Sequence, residues 1–206
     1  MIEIISNSYN YQDVFALLCS DEKGVGEKES GVFVDIGCYR SDITSNVKTL
    51  LDFGWTGIGF DINSDVLPSW ENYKDKINVF ICDVVEGIDT VNREISKLPD
   101  VIDYLNVDVD GYPCQYVIEN LDLKNKVYRC ITIEHDEYRF GDIYKNAQRN
   151  VLEPLGYEIV VKNAAEDFYV KPELISEEFL KTLRSIPKDY IQCDANLHEI
   201  RKYLNF

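Results

Sequence analysis

The sequence lacks a basic surplus: 21 lysines and arginines stand against 37 aspartates and glutamates, a formal net charge of −16. Such a surface repels a phosphate backbone, so a nucleic-acid partner is not expected. Long apolar runs are also missing. None approaches the roughly 20 residues that span a bilayer, and the opening MIEIISNSYN holds no basic segment followed by an apolar one. A membrane partner is therefore not expected, and the chain reads as a soluble cytoplasmic protein. None of the six cysteines, Cys19, Cys38, Cys82, Cys114, Cys130 and Cys193, forms a CxxC pair or a zinc-type spacing with histidine. They read as reduced, and those within apolar runs as small core residues. Histidine is scarce as well: only His135 and His198 are present, and His198, in a terminal amphipathic segment, reads as a surface or packing residue.

What is present is a chain of 206 residues, 45% hydrophobic and 12% aromatic, sufficient for one packed core. One domain over 1–206 is expected, with an N-terminal helix and loop in 1–30, a core sheet in 31–171 and C-terminal helices in 172–206. Val14, Phe15, Leu17 and Leu18 give a first helix from Tyr11 to Cys19, followed by the polar loop SDEKGVGEKESG. Its GVGEKES lacks the Gly-Lys-Ser/Thr triplet of a phosphate loop and no strand precedes it.

From Gly31 onward, short β-branched or aromatic runs alternate with segments of helical period, the pattern of a parallel sheet covered on both faces. Val32 to Ile36, Thr56 to Phe60, Ile77 to Cys82, Ile102 to Val107 and Arg129 to Ile133 are the expected strands. Ser41 or Asp42 is expected to cap a helix bearing Ile43, Val47, Leu50 and Leu51, with Gly54 as its stop. Further helices are expected over Ile88 to Leu98, after Pro113, and through Ile143, Ala147, Val151, Leu152 and Leu155. Tyr157 to Val161 and Phe168 to Val170 then read as a hairpin, because the link between them is too short for a crossover. The fold class is thus α/β, a doubly wound, mostly parallel sheet with a C-terminal antiparallel hairpin, which is the element order of the methyltransferase sheet. SEEFLKTL and ANLHEIRKYL close the chain as two short helices.

A ligand of such a sheet lies outside the carboxyl ends of its strands. There Asp35 and Gly37 close the first strand, and glycine lets backbone approach a ligand. Asp61, ending the second, suits a ribose diol, since a carboxylate accepts two hydroxyl hydrogen bonds. For Asp83, ending the third, a bond to an adenine amino group and a plain capping role both stand. The turn Gly37-Cys38-Tyr39-Arg40-Ser41-Asp42 lacks the second and third glycines of a dinucleotide fingerprint, which argues against NAD. Arg40 offers a charged partner for a ligand carboxylate.

QDVF, VFVDIGCYRSDITSN, FGWTGIGFDIN, IDYLNVDVDGY and ITIEHDEY resemble, in order and spacing, the FkbM family of methyltransferases, over about Gln12 to Gly156. The resemblance implies a class I S-adenosylmethionine fold and O-methylation of sugars and other small hydroxylated molecules. It makes Asp35 and Gly37 the first cofactor motif, Ser45 and Asn46 a serine-asparagine pair, Asp61 the ribose acid, and Asp108 with Asp110 the acidic motif after strand four. The departure is Arg40-Ser41, where the family more often has an acidic residue or asparagine with glycine. The expected cofactor-binding set is Asp35, Gly37, Cys38, Arg40, Ser45, Asp61, Ile62, Asp83 and Asp108.

Methylating a sugar hydroxyl needs alignment plus a base or a metal, because the hydroxyl holds its proton at neutral pH. His135, after the fifth strand, is the expected base, assisted by Asp108 and Asp110. A second option is Mg²⁺ or Mn²⁺ held by Asp108, Asp110 and Glu134, with Asp136 beside them, since clustered oxygen ligands suit hard cations. Carboxylates at strand ends also bind helix termini and water, so both options stand. The competing readings are an NAD-linked oxidoreductase or epimerase and a nucleotide-binding module without catalysis.

Overall fold

The computed structural model of the protein describes residues 6–20 and 31–185. Most of the GVGEKES loop and the terminal segment with Cys193 and His198 lie outside the described residues.

Segments rich in β-branched and aromatic residues form strands β1 (Val32–Ile36), β2 (Thr56–Asp61), β3 (Ile77–Ile81), β4 (Val101–Val107) and β5 (Val127–Glu134), all mutually parallel. Such runs suit strands with both faces covered. The hairpin β6 (Glu158–Lys162) and β7 (Glu166–Val170) follows, and β7 pairs antiparallel with β5. The sheet has seven strands in the order β3-β2-β1-β4-β5-β7-β6. The expected mostly parallel, doubly wound sheet with its terminal hairpin is the fold observed. The chain winds outward from β1 to β3, then returns to start again at β4, so a crevice opens beyond the carboxyl ends of β1 and β4.

Helices α1 (Gln12–Ser20), α2 (Lys48–Asp52), α3 (Leu67–Trp70), α4 (Ile88–Ile95), α5 (Tyr112–Asn120), α6 (Glu137–Phe140), α7 (Asp142–Leu152) and α8 (Glu177–Ser185) accompany the strands. Strand alternation splits the core between the two faces. Phe33 joins Phe15, Leu50, Leu51, Trp55 and Phe168 on one side. Val34 and Ile36 join Phe60, Val91, Leu105 and Ile118 on the other. Burying each such side chain stabilises the fold by about 1.5–3 kcal/mol. Among the described residues no helix is long and apolar enough to cross a membrane.

Two expectations about helices change. The helix after β1 begins at Lys48, not near Ser41, and Ile43 is exposed. Its expected caps are engaged elsewhere: Ser41 bonds to Ser69, and Asp42 is held by Arg40. Ser45 Oγ instead accepts the Lys48 amide at 3.0 Å, and residues 37–46 stay a loop over the sheet end. Ile143 is likewise exposed, because α7 turns Gln148 and Arg149 toward Glu134 and Asp167. That polar face follows from the buried Asp167, which needs a cation on its side of the sheet.

Candidate active site

A cavity of about 610 Å³ lies where the loops leave β1 to β4, and Gly37, Ser45, Asp61, Asp83, Asp108 and Tyr9 are among its walls. The loop after β1 is folded tightly across its neighbours. Gly37 donates its amide to Phe60 O at 2.8 Å and has φ +89°. A Cβ there would stand 1.8 Å from the Asp108 carbonyl oxygen. Glycine is thus required by the β4 loop crossing this turn, a constraint inside the chain beyond the ligand approach expected from the sequence.

Asp61 is fixed by two amides: Tyr39 N donates to Oδ2 at 2.9 Å and Asn63 N to Oδ1 at 2.8 Å. A carboxylate has about four lone-pair sites, so each oxygen keeps capacity for a ligand hydroxyl. Asp83 orders its own loop through Oδ1, which accepts from Val85 N at 2.9 Å. Ile62, Val84 and Val85 supply apolar wall between the two acids, and Cys38 lines the same space. The serine-asparagine pair divides its work: Ser45 caps α2, and Asn46 Nδ2 donates to Asp108 Oδ2 at 3.1 Å.

Asp108 belongs to a group of carboxylates beyond the ends of β4 and β5. Burial raises its proton affinity, while bonds from Asn46 and Glu134 work the other way. Glu134 is pushed up to about 9, by burial first and then by Asp108, Asp136 and Asp110. At neutral pH Glu134 therefore keeps its proton, as expected where acids crowd. Asp110 lines the cavity, is exposed, and donates its amide to Glu134 Oε2 at 2.9 Å.

Four expected placements change. His135 does not face the cavity; it is fully buried, with Nδ1 accepting from Glu137 N at 3.2 Å and Nε2 3.6 Å from Asp167 Oδ1. Its amide and that of Asp136 both donate to Ala165 O, which draws the chain under β7 and away from the crevice. Asp35 is also fully buried and outside the cavity walls, since alternation places it on the Phe33 face. There Asn106 Nδ2 donates to its Oδ1 at 2.8 Å, and Thr132 Oγ1 donates to Asn106 Oδ1 at 2.8 Å. Arg40 forms a two-pronged pair with Asp42, at 2.9 and 2.6 Å, and does not line the cavity. Finally, among the described residues the carboxylates that group within 4.8 Å of one another are Asp110, Glu134 and Asp136, while Asp108 accepts from Asn46.

Asp35 gives a measurable consequence. Burial, opposed by the Asn106 bond and aided by Asp108 and Asp61, raises it to about 7. The unfolded chain releases this proton near pH 4. Between those values the folded state binds more protons, so stability falls as pH rises, by about 1.4 kcal/mol per unit. Asp35→Asn mimics the protonated acid. It is expected to be at least about 2 kcal/mol more stable than the native chain at pH 8 and nearly equal to it at pH 4. Urea unfolding at the two pH values checks this, and parallel changes in both proteins would refute it.

Two site features escaped the sequence reading. Tyr9 reaches the cavity because Asp13, fully buried, gathers Ser6 Oγ (2.6 Å), Ser8 Oγ (2.8 Å), Thr49 Oγ1 (2.6 Å) and the Asn7 amide (2.7 Å). This knot ties the segment before α1 to α2. Its signal, small polar residues ahead of a helix, resembles ordinary capping. The second feature is Arg139, whose Nη1 lies 2.8 Å from both Asp110 Oδ1 and Asp136 Oδ2. The i,i+3 spacing to Asp136 hints at that contact, but the one to Asp110 is nonlocal.

No family model and no curated protein matches the sequence. Solved structures do. Human methyltransferase-like protein 13 in complex with SAH is similar over 97% of this chain and 93% of that chain, with TM-score 0.57 and 13% identity. A TehB-like SAM-dependent methyltransferase from Corynebacterium glutamicum gives TM-score 0.48 at 12% identity, over 78% of this chain and 88% of that one. Aeropyrum pernix fibrillarin with natively bound S-adenosyl-L-methionine gives 0.45 at 14% identity, over 76% and 74%. The first of these likenesses, spanning nearly the whole of both chains, shows that the two share one fold, a mostly parallel Rossmann-like methyltransferase sheet closed by an antiparallel hairpin.

Proposed function

We propose that the protein is an S-adenosylmethionine-dependent O-methyltransferase acting on a hydroxyl of a sugar, glycan or other small hydroxylated molecule, as in the FkbM family its motifs resemble. The observation that carries this reading is one cavity bounded by Asp61 and Asp83 on one side of β1 and by Asp108 and Asp110 on the other. Asp61 suits the ribose diol of the donor; Ile62, Val84 and Val85 suit its adenine, and Asp83 the adenine amino group. When bound, the donor supplies a methyl group on a positively charged sulfur.

In this reading Asp108 takes the acceptor proton. It replaces His135 in that role because it lines the cavity and holds a proton more readily than an ordinary carboxylate. Asn46 keeps its carboxylate aimed, and the proton Asp108 accepts leaves to solvent through the cavity it lines. A net charge of −16 favours an acceptor without phosphate groups over nucleic acid or an anionic membrane. A divalent ion does not fit the residues as they stand. Asp110 and Asp136 already converge on Arg139, so no step here passes through Mg²⁺ or Mn²⁺.

Calorimetric titration with S-adenosylhomocysteine and with NAD tests the donor, and mass spectrometry of a glycan panel incubated with S-adenosylmethionine tests the acceptor. We expect saturable binding of the first ligand only, and a glycan product heavier by one methylene. NAD binding without S-adenosylhomocysteine binding overturns the reading.

A further inference from the structure

We propose that Arg139 is a resident cation built into the carboxylate cluster, occupying the point where a divalent ion would bind and keeping the cluster from loading one. The inference rests on the proposed methyltransferase site only for its meaning, because its test is metal binding itself.

The convergence is specific. A single nitrogen, Arg139 Nη1, is 2.8 Å from an oxygen of Asp110 and 2.8 Å from one of Asp136. Glu134 completes the group, all three ligand atoms lying within 4.8 Å of one another, and its Oε2 accepts the Asp110 amide. Asp110 and Asp136 both adopt positive φ, +55° and +47°, backbone conformations uncommon outside glycine. Two residues held there to face one nitrogen are evidence that the contact is selected by the surrounding fold.

The arginine is itself held in place. Its amide donates to Asp136 O at 2.8 Å, closing the turn of α6. Its guanidinium lies 4.9 Å from the centre of the Phe140 ring, and that ring stacks edge-on with Tyr144 at 5.1 Å. Asp136 is buried, and its Oδ1 has no hydrogen-bond partner among the described residues. A buried carboxylate in that position needs a cation nearby. Arg139 answers the need from within the same turn.

Competition decides which cation wins. A side chain tethered three residues from its partner acts at an effective concentration on the order of millimolar or higher. Mg²⁺ and Mn²⁺ must shed water and meet oxygens at about 2.1 Å in near-octahedral array. A tethered guanidinium has no such demand, and its Nη1 already sits 2.8 Å from both carboxylates.

The test is titration of the full chain with Mn²⁺ at neutral pH, read by electron paramagnetic resonance of the free ion. The native protein is expected to bind none below about 1 mM, whereas Arg139→Ala and Arg139→Gln take up one ion per chain with Kd on the order of 0.1 mM. That gained site disappears when Asp136→Asn is added. A single Mn²⁺ site in the native protein below 0.1 mM, lost in Asp136→Asn, overturns the proposal. So does absence of any gain in both Arg139 variants when their circular dichroism matches the native chain. Binding of S-adenosylhomocysteine, measured on the same samples, reports the methyltransferase reading separately.

Discussion

Gly37→Ala is expected to destabilise the protein by about 3 kcal/mol or more and to remove donor-site binding. Two effects add. The residue has φ +89°, which an L side chain rarely adopts, and the new methyl would stand 1.8 Å from Asp108 O and 2.9 Å from Val109 Cγ1. Backbone cannot yield as a flexible side-chain end can. Any relief therefore moves the β4 loop and takes Asp108 out of the cavity. Gly54→Ala is the matched comparison, because Gly54 has φ +86° but nothing within 4 Å of its Cβ position. It meets strain alone, worth about 1 kcal/mol. Urea unfolding and calorimetry with S-adenosylhomocysteine measure both, and equal effects at the two glycines would falsify the crossing-loop argument.

Asp61→Ala is expected to weaken S-adenosylhomocysteine binding about 100-fold, close to 2.7 kcal/mol. The carboxylate is held by the Tyr39 and Asn63 amides before any ligand arrives, so it orders little on binding. Removing it deletes two charge-assisted bonds to a diol and releases the turn that forms the cavity rim. Asp61→Asn keeps the shape and loses part of the bonding, so an intermediate loss is expected. Stability should change by less than about 1 kcal/mol, because the side chain is half-exposed. Unchanged affinity in Asp61→Ala would place the diol elsewhere.

The strands were legible because a strand buried on both faces is written as a near-continuous apolar run, broken in VFVDI and IDYLNV only by Asp35, Asp103 and Asn106. Their carboxyl ends located Gly37, Asp61, Asp83, Asp108 and Asp110, all of which line the cavity. Side-chain direction was harder. The alternation that puts Phe33 on the α1 side carries Asp35 with it, as a period of two requires. His135 was beyond local reading, because its burial follows from Ala165, thirty residues away, accepting two consecutive amides. The start of α2 was ambiguous for another reason. Ser41, Asp42 and Ser45 are all able caps, and only the partners of the first two, Ser69 and Arg40, decide among them.

The knot around Asp13 leaves the short stretch bearing Tyr9 anchored at both ends while the ring itself stands 74% exposed at the mouth of the cavity. Shape of the entrance and integrity of the scaffold are thereby uncoupled at that position. A designer wishing to broaden or narrow what the cavity admits has, in residue 9, a place to vary bulk and polarity without disturbing the framework that holds it.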